Sequence, residues 1–200
     1  MPNYDELMNL EGWCPLEKMK RLYDLVKSIN AKTVVELGVY GGKSLIPMAI
    51  AIKELNNFGT CYAVDPWIAE ASTDNYDPSH NNYIWWNKLD QKSIYDKYID
   101  GLNKHDVSGC VVTLKYKSMD IVGRFSDETI DVLHQDANHS EKSSCEEVEN
   151  FYSKVKLNGY WVMDDTKWET TQKAQILILE KGYILLEEHE NWKIFQRVSV

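Results

Sequence analysis

Basic residues are in short supply. The 200-residue chain sets 22 Lys and Arg against 31 Asp and Glu, a formal net charge of -9. A phosphate backbone repels such a chain unless a local basic patch offsets the deficit. The densest basic group, Lys18, Lys20 and Arg21, falls on a predicted amphipathic helix beside acids and reads as a solvated face. Nucleic acid is therefore not expected as a partner, although small nucleotides are not excluded. Long apolar runs are lacking too. The longest, Leu45 to Ile52, is broken by Pro47 and falls far short of the ~20 residues that cross a bilayer. The first residues are acidic and no apolar stretch follows them, so no secretory signal is expected. Cysteine is sparse and scattered. Cys14, Cys61, Cys110 and Cys145 form no CxxC pair, which gives no support to a zinc site or a redox motif. Reduced, structural thiols are expected, with Cys61 and Cys110 inside strands. Repeats and low-complexity segments are absent. What remains is the composition of a cytoplasmic globular protein, 44% hydrophobic, of a size that one domain over 1–200 accounts for.

Hydrophobic periodicity gives the organisation. An N-terminal helical segment occupies 1–30, with apolar spacing over 15–30 (Leu16, Met19, Leu22, Leu25, Val26, Ile29). Short β-branched runs predict strands at Thr33–Leu37, Thr60–Val64, Val111–Tyr116, Ile130–Gln135 and Tyr160–Met163. Two more follow near 183–188 and 192–197, joined by a short polar turn as an antiparallel hairpin. Helices are predicted over 44–57, with Ser44 as N-cap, then over about 88–103, 140–157 and 169–181, with a turn at Asn158-Gly159. Residues 67–92 are rich in Asn, Asp, Ser and aromatics and read as a lid or acceptor-binding insertion. Strands alternating with helices predict an α/β fold: a Rossmann-like, doubly wound sheet, mostly parallel, closed by the hairpin.

Ligands of such sheets bind beyond the carboxyl ends of the strands. The residues there are Glu36 and Gly38, Asp65, Ser118, Asp136, and Asp164 with Asp165. Four of the five ends carry a carboxylate, more than acids scattered among turns account for. The first end runs Glu36-Leu37-Gly38-Val39-Tyr40-Gly41-Gly42-Lys43-Ser44. Glycines at a strand-to-helix turn let a ligand approach the backbone, and the helix N-terminus offers N–H groups to an anion. A dinucleotide fingerprint fails because Tyr40 stands where its second glycine belongs. A P-loop fails because Leu37 stands where its first glycine belongs. The spacing acid-x-Gly-x-x-x-Gly is met by Glu36, Gly38 and Gly42. A plain tight turn is the other reading of those glycines.

On these residues the chain resembles the class I S-adenosylmethionine-dependent methyltransferases. The resemblance implies that Gly38, Tyr40, Gly42 and Ser44 line the methionine end of the cofactor and that Glu36 helps hold its amino group. It also implies that Ser118 contacts the adenine. Asp65, in Val64-Asp65-Pro66, suits a ribose diol, as acids do in dinucleotide folds; the alternative is a turn cap.

The fourth and fifth strands end in Asp136-Ala137-Asn138-His139 and in Gly159-Tyr160-x-x-x-Asp164-Asp165. Neighbouring strand ends would gather Asp136, Asp164 and Asp165. Such a group of carboxylates needs a cation among them, and a hard divalent ion such as Mg2+ prefers oxygen ligands. Here the resemblance narrows to metal-dependent O-methyltransferases of the catechol and sugar types, and most closely to methyltransferase family 24, over roughly residues 12–166. It implies a metal on Asp136, Asp164 and Asp165 that lowers an acceptor hydroxyl's pKa, and in-line transfer of the sulfonium methyl. Asp136 also borders the cofactor. His139 is the candidate base; a helix cap is its alternative, and an ordinary turn that of the Asp pair. The fifth strand also resembles a Walker B strand, which the failed P-loop leaves without a partner. In the insertion, Tyr76, Tyr83, Trp85 and Trp86 form a candidate platform for a small acceptor, a sugar or phenol-like hydroxyl. Core packing or a partner interface, a homo-oligomer included, is equally compatible with those rings.

Overall fold

Parallel strands covered on both faces read as unbroken apolar runs, and such runs form the middle of one seven-stranded sheet. The computed structural model describes residues 2–199. Thr33–Leu37 (β1), Thr60–Val64 (β2), Val111–Leu114 (β3), Ile130–Gln135 (β4) and Val155–Asp164 (β5) run parallel. Tyr183–Glu188 (β6) and Trp192–Arg197 (β7) are antiparallel to each other, and β7 is antiparallel to β5. The spatial order is β3-β2-β1-β4-β5-β7-β6. The Rossmann-like, doubly wound architecture and the C-terminal hairpin are both present. The order reverses between β1 and β4, which opens a crevice at their carboxyl ends.

Eight helices flank the sheet among the described residues: Tyr4–Leu7 (α1), Leu16–Ser28 (α2), Leu45–Leu55 (α3), Ala69–Thr73 (α4), Asn81–Trp86 (α5), Gln91–Lys104 (α6), Glu141–Phe151 (α7) and Gln172–Glu180 (α8). Successive strand residues face opposite sides, so Val34 joins one core and Val35 the other. Val34, Ala63 and Val132 pack against α2, α3 and α6 through Leu22, Ile46 and Tyr98. Val35, Leu133 and Trp161 pack against α7 and α8 through Val148, Phe151 and Ile178.

Several expected boundaries move. The insertion contains two short helices, α4 and α5. Ser44 does not cap α3, because its hydroxyl donates to the buried Glu36 carboxylate instead. The helix expected over 140–157 ends at Phe151, and Asn158-Gly159 lies within β5. There Val155 pairs with Ile130 and Tyr160 with Val132, so the turn residues form a bulge inside the strand. Cys110 ends a 3-10 turn before β3 rather than lying in the strand. All four cysteines are free. No helix among the described residues is long and apolar enough to cross a membrane.

Gly38 fixes how the first loop meets the sheet. Its φ is +82°, and a Cβ there would stand 2.2 Å from the Asp136 carbonyl oxygen. Backbone cannot yield as a flexible side chain can. Gly38→Ala is therefore expected to cost about 2–4 kcal/mol of stability. Gly109→Ala, which adds a methyl in open space, should stay within about 0.5 kcal/mol. Denaturant unfolding of the two variants checks the contrast.

Candidate active site

The crevice is a cleft of about 1110 Å³. Its walls come from the glycine loop, the N-terminal segment around Trp13, the insertion, and the turns after β2, β3, β4 and β5. Gly38, Tyr40, Ser44, Asp65, Ser118, Asp136, His139, Asp164 and Asp165 all line it.

Asp65 shapes the glycine loop. Its Oδ2 accepts the backbone N–H groups of Val39 at 3.0 Å and Tyr40 at 2.9 Å, and its Oδ1 accepts that of Trp67 at 2.7 Å. Burial nevertheless pushes its carboxyl above the usual range. A carboxylate offers about four lone-pair sites, so capacity for a ribose hydroxyl remains. Gly42 closes the loop at φ +83°, where a Cβ would meet the Tyr98 ring at 2.9 Å.

Glu36 lies behind the cleft wall, fully buried. Its Oε1 accepts from the Ser44 hydroxyl and faces His134 Nδ1 at 3.0 Å, across the β1–β4 pairing that sets Glu36 opposite His134. Its Oε2 and His134 Nε2 have no partner. Burial drives the Glu36 carboxyl well up and the His134 imidazole well down, so the imidazole is neutral. One ligand atom each from Glu36, His134 and Asp136 falls within 4.8 Å of the others. Glu36 keeps one oxygen without a partner, but its side chain does not line the cleft where the amino group of a cofactor is expected.

The strand-end acids do converge. Gln135 pairs with Met163, which makes Asp136 and Asp164 neighbours. Two cations stand among the carboxylates expected to hold a metal. Lys18, from α2, makes an ion pair with Asp164 Oδ2, while Asp164 Oδ1 accepts the Asp165 N–H at 3.0 Å. His139 Nε2 lies 3.0 Å from Asp165 Oδ2 and 3.5 Å from Asp136 Oδ1. Asp165 Oδ1 accepts from the Asn191 amide at 2.6 Å. Burial alone would lower the His139 pKa, but the Asp136 and Asp165 carboxylates outweigh it and lift it to about 10. Burial and the Asp164 charge push Asp136 up. Burial works the same way on Asp164, where the Lys18 ammonium wins and holds the carboxyl low.

Lys18 is thus no part of a solvated face: it is 1% exposed. It sits four residues before Leu22 and seven before Leu25, on the apolar stripe of α2, and that position was the available signal. His134 had one too, as a polar residue inside an apolar strand at the position facing Glu36. Trp168, whose ring stands 5.3 Å from that of His139, and Asn191 gave none, since their places depend on how the chain folds after β5.

The sequence model of a family described as a methyltransferase domain matches residues 35–166. The chain belongs to that family. Solved structures agree in fold. The O-methyltransferase NovP is 19% identical at a TM-score of 0.69, covering 92% of this chain and 79% of its own. The O-methyltransferase TomG from Streptomyces achromogenes, solved with S-adenosylmethionine, is 13% identical at 0.66, covering 94% and 82%. An S-adenosylmethionine-dependent O-methyltransferase from Thermotoga maritima is 13% identical at 0.67, covering 100% and 72%. No curated protein sequence matches the chain. Family and fold together make it a class I, S-adenosylmethionine-dependent methyltransferase.

The aromatic residues of this methyltransferase divide. Trp13 lies tilted against Tyr40 at 4.9 Å and meets Trp85 edge-on at 5.3 Å; Trp86 meets Tyr40 edge-on at 5.9 Å. Trp13 remains 66% exposed, so a free aromatic face stands at the cleft mouth. Trp67 is instead buried against Tyr98, its indole N–H donating to the Tyr40 carbonyl at 2.9 Å. His80 caps α5, its Nδ1 accepting the Asn82 N–H.

Breaking the Lys18–Asp164 pair leaves a buried carboxylate alone. Lys18→Met is expected to cost about 3–5 kcal/mol near neutral pH, and adding Asp164→Asn should recover most of it. The folded-state pKa of Asp164 is depressed, so its contribution is present above the unfolded value of about 3.9 and is lost as pH falls through the lower folded value. The gap between wild type and Lys18→Met should therefore narrow in acid. Urea unfolding at several pH values measures both effects.

Proposed function

We propose that this methyltransferase, acting in the cytoplasm, transfers the methyl group of S-adenosylmethionine to a hydroxyl of a small molecule, a sugar or phenol-like acceptor. The observation that carries the reading is His139 held between Asp136 and Asp165 on the cleft wall, beside the loop that Asp65 shapes. The relatives described as O-methyltransferases support the same chemistry. The cofactor supplies an electrophilic methyl, and the chain's residues supply position and proton handling. Asp65 and the backbone of the glycine loop take the nucleoside and methionine ends, and Ser118 takes the adenine. Asp136 and Asp165 fix the His139 ring through its Nε2. A cationic sulfonium in the cleft disfavours the proton on His139, and the neutral ring can then accept the acceptor's hydroxyl proton. The exposed Trp13 face and Trp85 give a flat ligand a surface to lie on.

Asp136, His139 and Asp165 each offer one ligand atom within 4.8 Å of the others. This mixed oxygen and nitrogen set fits a divalent ion such as Mg2+ or Mn2+. Such an ion would supply the charge that lowers a hydroxyl's pKa. Asp164, the third ligand expected from sequence, spends its oxygens on Lys18 and a backbone N–H. That same observation favours a second reading: Lys18 and the His139 imidazolium answer the carboxylates in the free protein, transfer proceeds without metal, and His139 acts as the base once the sulfonium has driven off its proton.

Calorimetric titration with S-adenosylmethionine tests the core of the proposal: binding is expected, weakened about tenfold or more by Asp65→Ala. Absence of heat at near-saturating protein would overturn it. His139→Gln should lower turnover about 10²–10⁴-fold under either reading. The two part on a chelator. Loss of turnover restored by Mg2+ or Mn2+ supports the metal, and indifference supports the second reading.

A further inference from the structure

Beneath the turn after β3 runs a chain of hydrogen bonds that the proposed chemistry does not use. Ser118, the first residue of a 3-10 turn, donates its hydroxyl to Glu147 Oε1 at 2.6 Å. Glu147 Oε2 accepts from Gln135 Nε2 at 2.9 Å. Gln135 Nε2 gives its other hydrogen to the Ser144 carbonyl at 3.0 Å, and Gln135 Oε1 accepts the Trp161 indole N–H at 3.1 Å. Trp161, Gln135 and Glu147 are 0%, 4% and 2% exposed. Ser118 and Glu147 both reach the cleft wall.

The direction of this chain is not free. An indole nitrogen can only donate, so the Gln135 side chain must turn its oxygen to Trp161 and its NH2 to Glu147. Glu147 Oε2 therefore accepts. An ionised carboxylate has no proton to give, so Oε1 accepts as well, and the Ser118 hydroxyl must spend its only hydrogen inward. Toward the cleft Ser118 then shows lone pairs alone.

We infer that Glu147 is a positioning residue for cofactor specificity: by taking the Ser118 proton it makes Ser118 an acceptor that selects a purine with an exocyclic amino group over its 6-oxo counterpart. The inference rests on the reading that the adenine lies against Ser118. An amino group donates to the Ser118 oxygen. A carbonyl at the same place sets two lone-pair-bearing oxygens against each other, and the desolvated group goes unpaired.

The experiment measures the affinity of the full chain for S-adenosylhomocysteine and for its deaminated analogue, S-inosylhomocysteine. Burial lifts the Glu147 carboxyl to about 7, so the titrations are run at about pH 8.5, where the group is ionised. Wild type should prefer the adenosyl compound by at least about tenfold. In Glu147→Gln the new amide must turn its oxygen to Gln135 and its NH2 to Ser118. Ser118 then accepts inward and donates outward. The preference should fall about tenfold or more, with the inosyl compound gaining affinity in absolute terms. A role confined to stability would weaken both ligands alike and leave the ratio unchanged. Ser118→Ala should also lose the preference, without the inosyl gain, and it decides the matter if Glu147→Gln does not fold. An unchanged ratio in either folded variant, or a wild type indifferent to the base, overturns the inference while leaving the methyltransferase reading intact. Failure of wild type to bind S-adenosylhomocysteine at all would overturn both.

Discussion

Three carboxylates meet at the ends of β4 and β5, and the fold is arranged around making that tolerable. Asp136, Asp164 and Asp165 are partly or largely withdrawn from water. Carboxylates in such surroundings repel one another strongly unless charge or hydrogen bonds intervene. The chain supplies both. Lys18 reaches in from α2, whose apolar stripe of Met19, Leu22 and Leu25 anchors the helix in the core. An ammonium in that setting has no stable alternative to Asp164, since unpaired burial of either partner costs more than the pair gains. The pair therefore does more than add stability. It fixes where the N-terminal helix sits, and with it Trp13, Cys14 and the segment that covers the glycine loop. A carbonyl from that segment, of Glu11, approaches Gly41 so closely that a Cβ would stand 2.4 Å from it. Loop, helix and acid cluster are one mechanical unit.

Asp65 solves a related problem with backbone instead of side chains. The turn after β1 leaves N–H groups pointing into the cleft, and a carboxylate from the end of β2 gathers two of them. The loop is thereby held in one shape before any ligand arrives, which would reduce the ordering cost of binding there. Glu36 does similar service one layer deeper. It ties Ser44, at the start of α3, to His134, in β4, while keeping one oxygen unspent. An unsatisfied buried oxygen is costly.

How much of this could be read in the sequence depends on whether the signal was local. The limits of β1, β2 and β4 were legible to the residue, because β-branched runs bounded by Gly or Asp leave few other readings. The convergence of Asp65, Asp136 and Asp164 on one cleft followed from their places at strand ends, whereas Glu36, one residue short of the end of β1, lies behind the cleft wall. Ser44 looked like a helix cap because only its neighbours were visible; its true partner, Glu36, lies across a loop. Asn158-Gly159 looked like a turn, since nothing local says that β5 continues through a bulge to meet β4. Lys18 was read by its basic neighbours instead of by its helical face, and that hid the cation answering Asp164. Glu147 gave no sequence signal at all, because a Glu on α7 becomes a buried acceptor only through Gln135 and Trp161, which lie on two other elements.

The charge balance also bears on how the site would work. A proton on His139, a divalent ion and a sulfonium would all be drawn to the Asp136 and Asp165 carboxylates. They cannot all be accommodated at full strength, because each added positive charge weakens the hold on the others. In the free protein the proton on His139 fills the role, which is why its pKa stands at about 10. Any cation that enters must displace that proton or lower its affinity. A metal entering here would release a proton, and its affinity would rise with pH. In the proposed reaction a sulfonium would exert the same pressure without coordinating, and would so help to prepare His139 as the base. Lys18 stays outside this exchange. Its partner is Asp164, its burial is complete, and it keeps one carboxylate permanently answered while the other two remain open to a variable charge.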